Sequence, residues 1–443
     1  MYMDIKELSE LLQQNGIVGA GGAGFPTYAK LNENAKTIIL NCAECEPLLR
    51  LHRQLLKKYA EEIVETFHMI GKILGSTDMV IGIKRAYKDA IEALEEVLTE
   101  YKDVRLGLLD EVYPAGDEVV LIYEVTGIVV PAGGLPIQSK VAVFNVETVY
   151  NVYRALQKDT PVVDKLVSVV AEVNHPVTVR VPIGCTIDET VALAGGKTSE
   201  NTVYFVGGPM MGSIGKGSQP ITKTTNAILV LPEDHIIVNK KKSNSSIDLK
   251  RAAASCCQCT MCTDLCPRNR LGHPIEPHKF MRAATCKDLQ DTTTYINTMF
   301  CSSCGLCEMY SCMQGLSPRT LITEYKNGLR KAGITIPKDV AVKPVGPERE
   351  YRKVPMERLM ARLDLTRYNK NAPLVDEVAP MKKVRILLSQ HIGAPAVPVV
   401  EVGQKVERGE KIAEPGKGLS VAIHASITGT VTKVNDKYIE IKK

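Results

Sequence analysis

Apolar residues recur at helical spacing over residues 4–13, where Ile5, Leu8, Leu11 and Leu12 fall on one face. After a glycine-rich stretch, "TIILN" (37–41) predicts a short buried strand, and helical spacing returns over 51–74. "DMVIGIK" (78–84) predicts a strand, "AYKDAIEALEEVLTEY" a helix and "VRLGLLD" another strand. Such alternation predicts an α/β domain over 1–160. From 161 to 238 the pattern turns β-rich in "LVSVVAEV", "HPVTVRVPIG" and "NTVYFVGG", with one short helix, "TIDETVALAG", between them. This predicts a small β-grasp-like α+β module. The run "NKKKSNSSIDLKR" opens a cysteine-rich helical segment over 239–332, and polar, proline-bearing sequence over 333–382 predicts an irregular connector. Residues 383–443 read as short strands punctuated by Gly, Pro and Asn-Asp turns, a compact all-β domain.

Composition narrows the class. The chain has 443 residues, 44% hydrophobic and 24% charged, as in folded globular proteins of several domains. No window approaches the roughly 20 apolar residues of a membrane span, and no basic stretch with an apolar h-region marks a secretory signal. A cytoplasmic protein is expected. The net charge of +5 is mild for this length, which disfavours nucleic acid as a partner.

Cysteine spacing supplies the first chemistry. Of 13 cysteines, eight form two tight runs. In "CCQCTMCTDLCP", Cys256, Cys259, Cys262 and Cys266 followed by Pro267 give C-x2-C-x2-C-x3-C-P, the run that wraps a [4Fe–4S] cluster. In "CSSCGLCEMYSC", Cys301, Cys304, Cys307 and Cys312 repeat it, with a four-residue last gap and Met313 in place of proline. In two-cluster proteins the fourth cysteine of each run serves the other cluster. The expected sets are therefore Cys256, Cys259, Cys262 and Cys312, and Cys301, Cys304, Cys307 and Cys266. Two zinc knuckles are the competing reading. Cys257 is out of phase with the ligand spacing; Cys185 and Cys286 read as small buried hydrophobes. His273 and His278 read as cap or surface residues.

Two clusters carry electrons one at a time, whereas a hydride donor delivers two, and a flavin converts between them. That requirement directs attention to "GIVGAGGAGFPTYAK" (16–30). Gly19, Gly21 and Gly24 satisfy G-x-G-x-x-G, but a helix rather than a strand precedes them and Pro26 follows too soon for a dinucleotide-binding helix. Further signals stand at predicted strand ends: "NCAECEP" (41–47), "YPAGDE" (113–118), "PAGGLP" (131–136) and "FNVET" (144–148). Strand ends are where α/β folds gather ligands, and four such segments suggest one shared site.

In this order, "GAGGAGFPT", "NCAECEP", "YPAGDE" and "FNVET" resemble the flavoprotein component of respiratory complex I and the RnfC component of the Rnf electron-transport complex. The resemblance implies a cofactor set of FMN and two [4Fe–4S] clusters, with NADH as substrate. It implies that Gly19, Gly21, Gly22, Gly24 and Lys30 line the FMN phosphate and ribityl chain. Asn41, Glu44, Tyr113, Gly116, Asp117, Glu118 and Asn145 would surround the flavin. Glu46 and Phe25 would face the nicotinamide, and Glu46, Glu118 and Phe25 are the catalytic candidates. The sequence departs from the family at Phe144, where a second Asn is usual, and at Cys42 and Cys45. "HPVTVRVPIGCTIDETVALAGG" and "FVGGPMMG" are similar to the family's soluble-ligand-binding β-grasp (SLBB) domain.

The four-residue cysteine gap and a C-terminal "IHASITGTV" barrel-sandwich domain look most like the cobalamin-reductase branch of propanediol-utilisation microcompartments. "HASITG" lacks a lysine at its tip, so lipoylation is not expected. The resemblance thus implies electron flow from NADH to a corrinoid, alone or on a corrinoid-handling protein, in the cytoplasm or a microcompartment. The alternative is an RnfC-like component feeding another partner, such as an amino-acid (proline) reductase, or exchanging electrons between ferredoxin and NAD.

Overall fold

The computed structural model describes residues 3–287, 290–338, 340 and 343–443. Its first domain is built on a four-stranded parallel sheet in the order Val104–Leu109, Asp78–Lys84, Thr37–Asn41, Val141–Asn145. Alternate side chains of these strands feed two different cores, as the two-residue strand period requires. Ile38, Leu40, Met79, Ile81 and Phe144 face the helices Leu51–Leu74, Lys88–Leu98 and Val146–Lys158. Ile39, Val80, Val141 and Val143 face the helix Glu118–Thr126 on the other side. With both faces covered, ligands have access only at the strand ends.

The first helix, Ile5–Gln14, starts at a capping box between Asp4 and Glu7 and buries Leu8 and Leu12. The glycine stretch after it is a closed loop rather than a strand: Val18 bridges Pro26, and the Gly19 N–H donates to the Phe25 carbonyl at 2.9 Å.

The second domain is a six-stranded mixed sheet, with its helix Ile187–Ala192 started by a Thr186–Glu189 capping box. Here the structure corrects the expected connector. Residues 374–378 form a strand that pairs in parallel with Val177–Pro182 and completes the edge of this sheet. Val354–Pro355 pairs with Val112–Tyr113 of the first domain, and the helix Met356–Arg362 follows. The segment lacks strong periodicity because its short elements each borrow partners from a different domain. Together they act as a strap.

Asp164 fixes the domains to one another. Fully buried at the start of the strand Asp164–Ala171, it accepts from Arg154 of the first domain at 2.7 and 2.9 Å, Arg180 of the second at 2.8 Å, and Arg408 of the C-terminal domain. Arg180 continues to Asp376 on the strap, which also holds Lys58 at 2.7 Å. The C-terminal domain packs a four-stranded sheet beside a three-stranded one, as the turn-rich sequence predicts. It rests against the first helix, where Gln13 donates to Ser420 and Lys411 to Gln14. No described helix is long and apolar enough to cross a membrane.

Candidate functional site

A cavity of about 420 Å³ opens at the ends of the central strands. Gly19, Gly21, Gly22, Gly24, Phe25, Lys30, Asn41, Glu44, Glu46, Gly116, Glu118 and Asn145, brought from four separated segments, all line it. The glycine loop is held from behind. The Ala20 N–H donates to Thr148 at 3.0 Å, and the buried ammonium of Lys165, paired with Glu147, donates to the Ala20 carbonyl at 2.9 Å. Among the described residues, the N–H groups of Gly21, Gly22 and Ala23 make no hydrogen bond to the protein. Free amides on a tight turn form the concave anion site that a phosphate fills.

Each polar side chain of the wall has a defined place. Lys30 donates to the Val143 carbonyl at 2.9 Å and pairs with Glu118 at 3.3 Å. Asn41 donates to the Gly116 carbonyl at 3.0 Å, tying two strand ends together. Asn145 is the N-cap of Val146–Lys158, and its amide reaches His52 at 3.3 Å. Glu44 accepts from the N–H groups of Leu51 and His52, capping the start of the long helix.

Tyr113 and Asp117 stand behind this wall instead of lining it. Tyr113 donates to the Cys304 carbonyl at 2.7 Å. Asp117 caps the helix Glu118–Thr126 and pairs with Arg268 at 2.9 Å. "PAGGLP" also lies away from the cavity: a Cβ on Gly133 would press on Ile336 and Phe300, next to the cysteine-rich segment. Phe144, buried in the helix-side core, does line the cavity, so at this position the wall is apolar where an amide is usual.

Two wall residues carry no sequence signal of their own. His52 has a buried Nδ1 with no partner, and burial, then Lys165 and Arg53, lower its pKa to about 3, so the imidazole is neutral. Asn226 comes from the second domain, and its buried Oδ1 is also unpartnered. Unsatisfied buried polar atoms on a cavity wall fit a polar ligand that supplies their hydrogen bonds. With the free amides of the glycine loop, they suit FMN.

Glu46 sits at the cavity's far edge, where its carboxylate accepts from the N–H groups of Met210 at 2.8 Å and Met211 at 3.0 Å in the second domain. Beyond it a trough of about 770 Å³ shares Gly22, Ala23, Glu46, Leu49 and Asn226 with the cavity and is lined by Gln219, Thr222, Thr224 and Thr225. Burial raises Glu44 and Glu46 each to about 7, against hydrogen bonds from their backbone partners. Between the unfolded value of about 4.3 and that level, the folded protein keeps protons the unfolded chain has lost. These two groups therefore make stability fall as pH rises across that window. Flavin-free Glu44→Gln and Glu46→Gln proteins are expected to gain stability relative to wild type from pH 5 to pH 8, read as urea midpoints. A difference that stays constant with pH would refute this.

The cysteines gather into two sets. Cys256, Cys259, Cys262 and Cys312 surround one small cavity with Cys257 and His278 at its rim; Cys266, Cys301, Cys304 and Cys307 surround another. The fourth cysteine of each run thus lies with the first three of the other. The four-residue gap has a structural cause: Cys307–Ser311 form a single π-turn, which absorbs the extra residue before Cys312. Burial raises Cys262 to about 12 and Cys266 to about 11, aided by repulsion from neighbouring cysteines of the same set. Four such sulfurs ionise together only around strong positive charge, and their arrangement around a cavity fits a cluster. His273 is buried and bonded to the Val130 carbonyl, away from both sets. Cys42 and Cys185 are buried, while Cys286 is exposed, contrary to the sequence expectation. A lone Cys in the last turn of Pro277–Cys286 gives no sign of which way it faces.

This combination defines a class, the flavin- and iron–sulfur-dependent electron-transfer proteins. Residues 12–154 match the Nuo51 FMN-binding domain, 166–213 the SLBB domain, 255–317 the 4Fe-4S dicluster domain and 365–443 the RnfC barrel sandwich hybrid domain. The cobalamin reductase PduS of Salmonella typhimurium is 38% identical over 443 residues, covering 100% of this chain and 97% of the relative. That of Citrobacter freundii is 37% identical, covering 99% and 97%. A component of the ion-translocating oxidoreductase complex of Pasteurella multocida is 33% identical over 59% of this chain and 31% of its own. An NAD+-reducing [NiFe]-hydrogenase shares the fold at a TM-score of 0.50 and 18% identity, over 76% of this chain and 64% of that one. The chain belongs to the cobalamin reductase family. Its cofactors are FMN and [4Fe–4S] clusters.

Proposed function

We propose that the protein passes electrons from NADH to a corrinoid. The observation that carries this reading is the adjacency of the cavity and one cysteine set. The wall that includes residues 43–46 and Gly116 has the FMN-type cavity on one side, and behind it Tyr113 donates to the carbonyl of Cys304 in one cysteine set. Bound in these sites, FMN and the clusters supply the conversion of one hydride into single electrons.

The chain's own residues bind and orient. The glycine loop and Lys30 hold the phosphate end, while Asn41, Glu44, Gly116, Glu118 and Asn145 frame the ring. Phe25, about one-third exposed, offers an apolar face at the entrance. The trough beyond Glu46 gives room for the dinucleotide. As Glu46 is engaged with Met210 and Met211, its proposed role is to fix the boundary of the nicotinamide site; Glu118, half-exposed beside Lys30, is the polar group left to meet the substrate. Corrinoid reduction is named for the two relatives that align over essentially their whole length. The same kinship supports a place in the cytoplasm or a microcompartment.

The test is anaerobic purification with iron, sulfide and flavin analysis, then titration with NADH and with cobalamin. Flavin bleaching by NADH and coupled corrinoid reduction are expected. Bleaching with artificial acceptors but not cobalamin would favour a component feeding another protein, and zinc without sulfide would end the reading.

A further inference from the structure

The two cysteine rings are placed unequally with respect to the flavin cavity. The ring of Cys266, Cys301, Cys304 and Cys307 is packed against the cavity wall. Tyr113 donates to Cys304; Arg268, two residues after Cys266, pairs with Asp117; and a Cβ on Gly305 would lie 3.4 Å from the Met210 carbonyl, whose residue is capped by Glu46. Cys45, in the cavity wall, and Cys304 pack on one apolar cluster with Leu306 and Met309.

The ring of Cys256, Cys259, Cys262 and Cys312 faces outward. Cys257 and Cys259 are exposed, and Met313 at its rim is 75% exposed. Its flanking helices carry exposed cations with no ion-pair partner among the described residues: Lys250 and Arg251 on Ser245–Ser255, which runs into Cys256, and Arg282 on Pro277–Cys286, beside the ring residue Met281. Of the acids on these elements, Glu324 on the adjoining helix Pro318–Lys331 is exposed and the other three offer the surface less charge. Asp248 is buried, Asp264 pairs with Arg270 at 2.7 Å, and Glu276 pairs with Lys279 at 2.9 Å.

We infer that the rings form a directional pair, the Cys304 ring receiving electrons from the flavin side and the Cys259 ring delivering them. The surface around Met313, Lys250, Arg251 and Arg282 is the docking face for an acceptor protein with an acidic contact surface. This rests on the electron-transfer reading above. The electrons balance: each NADH yields NAD+, one proton and two electrons, which leave singly. Positive charge around a redox centre speeds encounter with anions and slows it with cations.

Small acceptors of opposite charge read that field. Two ferricyanide ions become ferrocyanide per NADH, and hexaammineruthenium(III) is the cationic counterpart. In the Lys250→Glu/Arg251→Glu/Arg282→Glu protein, oxidation by ferricyanide should slow about tenfold and that by the ruthenium complex should quicken. Reduction of the flavin by NADH should be unchanged. Poly-L-glutamate should slow ferricyanide oxidation of wild type and not of the variant. Equal ferricyanide rates in both proteins would overturn the docking face.

The order is read by freeze-quench electron paramagnetic resonance. In Cys304→Ser the flavin should still bleach with NADH while the remaining cluster signal appears at least tenfold later. Its appearance at the wild-type rate would overturn the order. In wild type the two cluster signals should rise in sequence, and the later one should be that lost in Cys259→Ser. If NADH fails to bleach the flavin, the function proposed above falls. Dithionite-reduced protein still tests the exit face through its oxidation by the two acceptors.

Discussion

Gly24→Ala is expected to lose about 3 kcal/mol of stability and to bind FMN about 100-fold more weakly, whereas Gly22→Ala should lose affinity with little more than backbone strain. Both residues adopt left-handed backbone, φ +65° and +61°, which costs a side-chain-bearing residue roughly 1–2 kcal/mol. They differ in what lies beyond. A Cβ on Gly24 would stand 2.8 Å from the Thr224 methyl and 3.2 Å from the Gln390 carbonyl, in a seam where three domains meet. Overpacking of that kind adds about 1–3 kcal/mol, and relief requires the loop to shift into the cavity. A Cβ on Gly22 meets nothing within 4 Å, so it intrudes only where the phosphate-end ligand would sit. A hundredfold change in affinity corresponds to about 2.7 kcal/mol. Fluorescence titration with FMN and urea midpoints on the flavin-free proteins separate the two effects. Wild-type affinity in both variants would show that this loop is not the cradle.

Asp164→Ala should be the most destabilising single change outside the cavity, by about 3–5 kcal/mol, because it leaves Arg154, Arg180 and Arg408 around one uncompensated void. Burial alone would raise this carboxyl. Coulomb attraction and hydrogen bonds from Arg154 and Arg180 outweigh it and hold the pKa well below the ordinary range. The sign is that of a depressed acid. Its contribution is complete above the unfolded value of about 3.9 and is lost as pH falls through the lower folded value. Acid unfolding of wild type should therefore begin at lower pH than that of Asp164→Ala. A cost under about 1 kcal/mol in the neutral urea midpoint would refute its part in joining the domains.

Much of the site was legible because it is built from local signals. Strand ends that finish in Asn41 and Asn145, a loop of closely spaced glycines and cysteine runs of fixed period each carry their chemistry in consecutive residues. What escaped reading depends on tertiary approach. Asn226 reaches the flavin cavity from another domain, and the strand 374–378 is short and largely exposed because it is an edge that borrows its partner from Val177–Pro182. Tyr113 sits in a motif that does line the cavity, yet its side chain turns to the backbone of Cys304 on the other side of the wall, an orientation no spacing encodes.

The Ile392 N–H donates to the Ala23 carbonyl at 3.0 Å, and the Ala422 N–H donates to the Gln13 carbonyl at 3.0 Å, so the C-terminal domain closes directly over the glycine loop. The loop is thus supported from two distances along the chain: Thr148 and Lys165 hold Ala20, and Ile392 of the C-terminal domain holds Ala23. The second contact closes a far longer stretch of chain than the first, so the shape of the cradle depends on a pairing with a larger loop-closure entropy.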